Sequence, residues 1–436
     1  MKKKILDRSP LKLLINGYLL ILIIGCILIN IPIFHKLEMS SIDHIFVATS
    51  ALSTTGLSSA PISEIYNTGG HILLLILIQI GGLGYMSIGS FITLLRKKKL
   101  TLESNALIGY DFSLPKDFKK STFIKSLVIF ALTLEVIGAI LLAWAFYLEG
   151  VSNYIWQGIF HSISSFCTAG FSLFPNSLEN FQDHFWINFI IMFLSISGAI
   201  GFIVFSDIYS KILGIKTKIS FTSRIILRFT FIGIVLGTLI LFISSNSITN
   251  LSTETKLLTC LFQSVSAFTT VGFNTCDISL LSPAPIFLII LLMIIGASPS
   301  GTGGGLKSTT FIALYSQMKS ILKGKSEVTY LGVRIPQHRL TTATANFFFY
   351  ISVIFISVFL LLSIEPMNDT RDILFEAISA LGTVGLSVGE TSQLTVLSKI
   401  IICALMFLGR IGPLSLGLAL FGQEEFDDLI DDDLAI

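Results

Sequence analysis

Long apolar segments dominate this chain. A helix needs about 20 mostly apolar residues to cross a bilayer. Eight segments reach this length: roughly 11–34, 72–95, 123–148, 185–210, 224–243, 285–320, 345–364 and 394–421. They are too long for the strands of a membrane barrel, which need only about ten residues. The pattern therefore predicts an all-α membrane protein with eight transmembrane helices.

A shorter, semi-polar stretch separates the two long segments of each successive pair. The four stretches are 41–53, 153–166, 254–268 and 370–381. They are too short to cross about 30 Å of hydrocarbon, yet Phe, Ile and Ala recur in them at helical spacing. We therefore predict four re-entrant pore helices that enter the membrane and turn back.

The composition agrees with a membrane protein. Of the 436 residues, 53% are hydrophobic and 13% are charged, whereas a soluble chain carries about 25% charged residues. This excludes an ordinary cytosolic enzyme and a nucleic-acid binder. A membrane-embedded enzyme would need paired carboxylates, an activated nucleophile or a metal cluster at membrane depth, and the sequence suggests none. We expect no enzyme activity and no cofactor bound by this chain.

The basic residues predict the orientation. Most of the Lys and Arg residues lie in the amino terminus and in the connections 96–125, 211–228 and 307–339. Basic residues are retained on the cytoplasmic side of a membrane. We therefore expect a multi-pass protein of the cytoplasmic membrane, with both termini in the cytoplasm and the re-entrant helices on the outside.

The four short stretches share one motif. Phe, Ser, Thr and Gly fall at the same offsets in all four, which indicates one unit repeated four times. The predicted repeats are 11–95, 122–210, 224–322 and 343–421, followed by an acidic tail at 422–436. Two spans in each unit place all four motifs on the same side, so four units can surround one axis.

A Thr-x-Gly loop follows each re-entrant helix. Glycine adopts the dihedral angles that turn successive carbonyls inward, and carbonyls can replace the water shell of a cation. The carboxyl end of each helix adds partial negative charge. We predict a cation-binding filter made of Thr54, Thr55, Gly56, Leu57, Thr168, Ala169, Gly170, Phe171, Thr270, Val271, Gly272, Phe273, Thr383, Val384, Gly385 and Leu386. Potassium channels carry a second glycine in this loop, so we expect weaker discrimination against Na⁺ here.

The last span of the third repeat contains a glycine-rich segment at 296–308. Glycine and proline interrupt a helix there, and irregular backbone at membrane depth must lie against protein or a water cavity. We place it beneath the filter, with Gly301, Gly303, Gly304, Gly305 and Lys307 as gate candidates. It fails the phosphate-binding loop pattern, since Leu306 stands where glycine should precede Lys307. Lys307 is either a gate residue or a residue that reaches the cytoplasmic edge.

Arg410 lies inside the final span. An ionised side chain at that depth must face the bundle interior or water. It is either a structural cation bonded to carbonyls or a positive plug below the filter, braced by the glycine-rich segment.

The repeated motif resembles the Trk/Ktr/HKT superfamily of potassium transporters, and the absence of two additional amino-terminal spans makes the KtrB-type membrane subunit the most similar type. The resemblance implies four membrane–pore–membrane repeats that form a pseudo-tetramer around one pore. It also implies K⁺ coordination by the loop carbonyls and a gate formed by the glycine-rich segment and Arg410.

The same resemblance implies partners. They would be a second copy of the chain in a homodimer and a cytoplasmic KtrA-type ring that binds the regulatory nucleotide, within a lipid bilayer and without nucleic acid. The alternative is a Trk-type subunit or an autonomous relative that passes both Na⁺ and K⁺. Sodium coupling, the kinetics of transport and the role of the acidic tail stay open at this point.

Overall fold

The computed structural model describes residues 10–84, 120–212, 218–245 and 251–412, together with the single positions 87, 90, 91, 93, 94, 214, 416 and 417. The predicted acidic tail, the extreme amino terminus and the connection at 96–119 lie outside these residues. Outside short 3₁₀ turns and one two-stranded hairpin, regular structure in the described part is α-helical.

The helices follow the predicted order of long and short segments. They are α1 (Pro10–Ile29), α2 (Ser41–Leu52), α3 (Ile62–Ile65), α4 (Thr68–Leu83), α5 (Lys120–Leu148), α6 (Tyr154–Phe166), α7 (Phe185–Ile200), α8 (Phe202–Ile212), α9 (Phe221–Ser244), α10 (Thr253–Thr269), α11 (Pro283–Ile294), α12 (Ser308–Leu322), α13 (Gln337–Ile364), α14 (Thr370–Leu381) and α15 (Val396–Ile411). Strands β1 (Thr329–Tyr330) and β2 (Val333–Arg334) form an antiparallel hairpin between α12 and α13.

Four helices in the described residues are long and apolar enough to cross a membrane. They belong to α1, α5, α9 and α13, the first long helix of each predicted repeat. The bent pair α7 and α8 would make a fifth span. The chain is therefore an integral membrane protein, and the prediction of eight transmembrane helices stays a prediction.

The second long helix of each unit is interrupted, and glycine is the reason in three of them. The predicted spans 72–95, 185–210 and 394–421 break at Gly84, Gly201 and Gly412, with φ of 78°, 90° and 92°. These left-handed dihedrals are open to glycine and terminate a right-handed helix. At Gly201 the two helices meet at 94°. In the span 285–320 the glycine-rich segment lies between α11 and α12.

Close backbone contacts hold the short helices in place. The α-carbons of Gly81, Gly198 and Gly409 lie so near the last carbonyls of α2, α6 and α14 that a Cβ at any of them would overlap the oxygen. Each of these helices also buries its shared phenylalanine, which is Phe46, Phe160, Phe262 or Phe375. The four re-entrant helices therefore form the centre of the molecule, with the long helices outside.

Candidate functional site

The loop after each re-entrant helix has the same backbone conformation. Its threonine and its glycine both have positive φ, at 55° and 96° for Thr54 and Gly56 and at 60° and 82° for Thr270 and Gly272. The other two loops follow the same alternation: Thr168 51°, Gly170 67°, Thr383 49° and Gly385 93°. A non-glycine residue rarely adopts this conformation, and its fourfold recurrence at equivalent threonines marks a constrained site.

The shared serine of each re-entrant helix fixes the loop. Its carbonyl accepts a hydrogen bond from the N–H of the residue between Thr and Gly. The four bonds are Thr55–Ser50 2.8 Å, Ala169–Ser164 2.8 Å, Val271–Ser266 3.1 Å and Val384–Ser379 2.8 Å. The serine hydroxyls bind the same loops, since Gly56 and Gly385 donate N–H bonds to Ser50 and Ser379. The sequence register therefore corresponds to one repeated hydrogen-bond pattern.

The four loops touch one another in a closed ring, called the loop ring below (54–57, 168–171, 270–273 and 383–386). A Cβ added to each glycine would come closer than 3.0 Å to the carbonyl oxygen that precedes the next glycine. These contacts run from Gly56 to Ala169, from Gly170 to Val271, from Gly272 to Val384 and from Gly385 to Thr55. The order around the ring is therefore one, two, three, four, with the last loop against the first.

The loop ring offers carbonyl oxygens without hydrogen-bond partners. Among the described residues, none donates to the carbonyls of the Thr, middle and Gly positions in any loop. All four threonines are 0% exposed. Buried carbonyls are normally paired, so a ring of unpaired ones suits a ligand that carries positive charge.

The glycine-rich segment lies against the threonine end of the loop ring. Thr302 contacts two loops, since its carbonyl accepts from Thr54 Oγ1 at 3.4 Å and its hydroxyl bonds Thr168 Oγ1 at 3.0 Å. Gly304 donates its N–H to Thr383 Oγ1 at 2.9 Å. A Cβ on Gly303 would overlap Thr270 Oγ1. All four threonines are thus covered by three consecutive residues.

The end of α7 anchors the same segment. Ser298 and Thr302 donate N–H bonds to Ala199 O and Gly198 O at 3.0 and 3.1 Å. The α-carbon of Gly301 faces Ala199 O, and Gly305, with φ of 70°, lies against Gly296. The break at Gly201 therefore has a role in the fold, because the free end of α7 provides the carbonyls that hold the segment.

Arg410 joins the glycine-rich segment to the first repeat. One guanidinium nitrogen donates to Thr302 O and to Thr54 Oγ1, the latter at 3.2 Å. The other donates to Gly81 O and to Gly82 O, the latter at 3.2 Å. Its described partners are carbonyls and a hydroxyl, without a carboxylate. These contacts are therefore compatible with both interpretations of Arg410, as a structural cation bonded to carbonyls and as a positive plug below the filter.

Lys307 also binds the segment that contains it. Its ammonium donates to Gly303 O at 2.7 Å and to Gly304 O at 3.3 Å. Of the two alternatives for this residue, the contacts favour a role within the segment. Two basic side chains thus hold the carbonyls of residues 302–304.

Cys167 points away from the loop ring. Its thiol lies 3.7 Å from Gln79 Oε1 and 3.8 Å from Glu135 Oε1. The Glu135 carboxylate accepts from Gln79 Nε2 at 2.9 and 3.1 Å. This buried acid therefore links the first two repeats behind the ring.

Sequence reasoning missed one buried ion pair and two polar anchors. Lys399 donates to Asp43 at 2.7 Å, and Glu376 and His161 bind the chain just after the loops. An isolated ionisable residue in an apolar helix was the available signal. It did not reveal the partners, which lie far away in the chain or beyond the motif.

Two acidic residues, Glu179 and Asp277, lie near Asn274, which follows the third loop. Asn274 donates to Glu179 Oε1 at 2.7 Å, and Leu178 donates its N–H to Asn274 O at 3.0 Å. Partial burial, followed by the nearby Asp277 carboxylate, raises the pKa of Glu179. Asn274 thus ties the third loop to the connection that follows the second.

The fold and the site define a class: a membrane protein of apolar helices that enclose a ring of peptide carbonyls, without a group of three or more metal-ligating side chains in the described residues. Comparison with known proteins identifies the family within this class. The family model described as "TrkH: Cation transport protein" matches residues 16–426. The chain belongs to this cation transport family, which is a family of transporters and not of enzymes.

Individual relatives are similar over nearly the whole chain. The potassium/sodium uptake protein NtpJ of Enterococcus hirae is 34% identical, over 94% of this chain and 93% of that protein. The Ktr system potassium uptake protein B of Bacillus subtilis is 33% identical, over 93% and 92%. The crystal structure of the potassium transporter TrkH from Vibrio parahaemolyticus has a TM-score of 0.73 at 21% identity, over 93% and 85%.

Proposed function

We propose that this protein takes up K⁺ across the cytoplasmic membrane, with the four repeats arranged as a pseudo-tetramer around one pore through the loop ring. The unpaired carbonyls of the closed ring are the observation that carries the proposal. The names of NtpJ and of the Ktr system protein B support K⁺ as the transported ion.

The ring would bind K⁺ by exchanging its water shell for peptide oxygens. No formal negative charge lies in the loops, so the ion is bound by oriented dipoles and can leave again. The carboxyl ends of α2, α6, α10 and α14 face the threonine end of the ring and make that end favourable for a cation. Each filter loop holds one glycine, which supports our expectation of moderate discrimination against Na⁺.

The glycine-rich segment and Arg410 would close this path on the cytoplasmic side. The segment covers all four threonines, and the guanidinium adds a positive charge directly below Thr54. A cation that leaves the ring would meet this charge and the backbone of residues 302–304. Transport therefore requires the segment and Arg410 to move together.

A cytoplasmic partner would control that movement. Protein B of the Ktr system is named as part of a system, which supports a separate regulatory subunit, here a KtrA-type nucleotide-binding ring beneath a homodimer. The alternative is an autonomous transporter that passes Na⁺ as well as K⁺, which the name of NtpJ favours. Copurification of a soluble subunit from the native membrane would separate the two.

Uptake in a host that lacks its own K⁺ transporters tests the function. Cells that express the wild type should grow at low K⁺ and accumulate Rb⁺, a K⁺ tracer. Gly272→Asp, at equal membrane expression, should do neither, because its side chain would enter the contact between loops three and four. Uptake by the Gly272→Asp protein at the wild-type rate would contradict a path through the loop ring.

A further inference from the structure

One position in the re-entrant helices differs in all four repeats. The residue after the shared Phe is Val47, His161, Gln263 or Glu376. The residue that follows each loop also varies, as Ser58, Ser172, Asn274 or Ser387. In some repeats the side chains at these two positions are hydrogen-bonded to each other at the outer end of the loop ring, and in others they are not.

In the fourth repeat the two positions are bonded. Glu376 is 1% exposed, and its carboxylate accepts from Ser387 Oγ, from Thr391 Oγ1 at 2.7 Å and from the Val388 N–H at 3.3 Å. Three donors from the segment after the loop therefore converge on one side chain of the helix before it. The outer end of loop four cannot move without breaking these bonds.

The second repeat uses a different side chain for the same connection. His161 is 0% exposed, and Ser172 Oγ lies 2.9 Å from its Nε2. Gln157 O, 2.8 Å from Nδ1, can only accept, so Nδ1 carries the proton and Nε2 accepts from the serine. The ring also stacks on Phe273, the last residue of loop three, at 6.0 Å between centroids.

The first and third repeats lack this connection. Val47 has no polar group, and Ser58 donates to Ala60 O instead. Gln263 is 2% exposed and neither of its amide atoms has a partner in the described structure. Asn274, which could reach it by position, is bonded to Glu179.

Repeats two and four face each other across the loop ring, because the loops follow one another in chain order around it. We propose that Glu376 and His161 are positioning residues, and that this diagonal pair of braces keeps the outer entrance open to the width that favours K⁺ over the smaller Na⁺. The proposal rests on the function proposed above. Loop one has no such brace, and loop three is held through Asn274 by the connection that follows the second loop instead of by its own re-entrant helix.

The physical reason is that carbonyl cages lose selectivity when they can contract. An unbraced loop moves inward around a small ion at little cost, whereas a loop held by three buried hydrogen bonds does not. Loss of the Glu376 carboxylate would leave the Val388 N–H unpaired, and Ser387 and Thr391 would keep the bond between their hydroxyls, at 3.1 Å. The outer end of loop four would then shift.

Substitutions at the equivalent positions of two repeats test the proposal. In the full chain, K⁺ and Na⁺ compete with Rb⁺ for uptake, and the ratio of the concentrations that halve uptake measures selectivity. Glu376→Leu should lower the K⁺ preference about tenfold, as expected for the loss of buried hydrogen bonds. Glu376→Gln, which retains an acceptor for Ser387 and a donor for Thr391, should stay within about twofold of the wild type.

Gln263→Leu is the matched control, because it is the same kind of change at the unbraced position. It should leave the ratio unchanged. If Glu376→Leu does not reach the membrane, Ser387→Ala takes its place and Ser58→Ala takes the place of the control. Only Ser387→Ala should then weaken the K⁺ preference.

The results separate the two proposals. If Glu376→Leu or Ser387→Ala keeps the wild-type ratio of K⁺ to Na⁺ selectivity, or if the matched control loses as much selectivity, the role of the braces is overturned. Rb⁺ uptake in these variants would still support transport. Absence of K⁺-sensitive uptake in the wild type would overturn the proposed function itself.

Discussion

Lys399 in the last helix donates a hydrogen bond to Asp43 in the first turn of α2, at 2.7 Å and across 356 residues of sequence. Both side chains are nearly buried, at 10% and 12% exposure. Arg410 and Thr54, the same distance apart in the chain, form a second contact deeper in the molecule. These two bonds join the end of the chain to its beginning, where the loop ring closes.

Removing one partner of this ion pair should destabilise the protein strongly. Lys399→Met leaves the Asp43 carboxylate buried without a countercharge, at a cost of about 3–5 kcal/mol. Asp43→Asn combined with Lys399→Met should cost clearly less than the sum of the single changes. Thermal unfolding in detergent measures this double-mutant cycle. Additive effects would show that the pair contributes nothing specific, and Arg334→Met, which breaks the exposed pair with Glu327, is the control that should change little.

Gly385→Ala should abolish cation uptake. Its Cβ would overlap Thr55 O in the adjacent loop, and the residue has φ of 93°. Gly389→Ala is the matched control, since Gly389 has φ of 102° but nothing within 4 Å of the new Cβ. Both variants carry the backbone penalty of about 1–2 kcal/mol, so only the contact differs. Rb⁺ uptake at equal expression measures the effect, and equal loss in both variants would contradict the importance of the ring contact.

Arg410→Ala should raise basal cation flux. The change removes a positive charge beside Thr54 and frees Thr302 O, so the glycine-rich segment loses one of its anchors. Rb⁺ efflux from reconstituted vesicles, without any partner, should increase about tenfold, equivalent to ~1.4 kcal/mol at the barrier. Adding Gly272→Asp to this variant should remove the additional flux. Efflux that is unchanged, or that persists in the double variant, would contradict a gate on this path.

Removing the carboxylate of Asp277 should stabilise the protein at neutral pH. The pKa of Glu179 is raised by burial and by Asp277, so the folded protein holds this proton more tightly than the unfolded chain. Its contribution to stability is present at low pH and is lost as pH rises through the folded pKa. Asp277→Asn should therefore raise Tm at pH 7 and have less effect at acidic pH, as Glu179 takes up its proton. An equal shift at both pH values would contradict this linkage.

The loops could be predicted because their signal is local and repeated. The Phe, Ser, Thr and Gly register located the four stretches, and the structure gives all four the same dihedral pattern. In each, a loop N–H donates to the carbonyl of the shared serine, which is Ser50, Ser164, Ser266 or Ser379. The breaks at Gly84, Gly201 and Gly412 were not expected, although each of these residues stands three positions after another glycine, Gly81, Gly198 or Gly409. Glycine in an apolar run is tolerated in many membrane helices, so this spacing alone does not predict a break.

The contacts between repeats could not be read from one sequence. Neither Asp43 nor Lys399 stands out in the sequence by itself. They pair because the fourth repeat lies against the first where the loop ring closes. The bonds from Arg410 to the carbonyls of Gly81 and Gly82 could not be predicted either, because every residue has a backbone carbonyl and the sequence does not show which one a side chain contacts. The acid at Glu376 was visible, but its donors lie in a segment whose path the motif does not determine.

Ring closure between Gly385 and Thr55 also has a consequence for biosynthesis. Loop one emerges from the ribosome long before loop four, so its neighbour on one side is missing until the last repeat is inserted. During that interval Asp43 lacks Lys399 and Thr54 lacks Arg410. The nascent chain must therefore hold an incomplete, polar-lined bundle in the bilayer, and truncation before the fourth repeat should yield a product that quality-control proteases recognise.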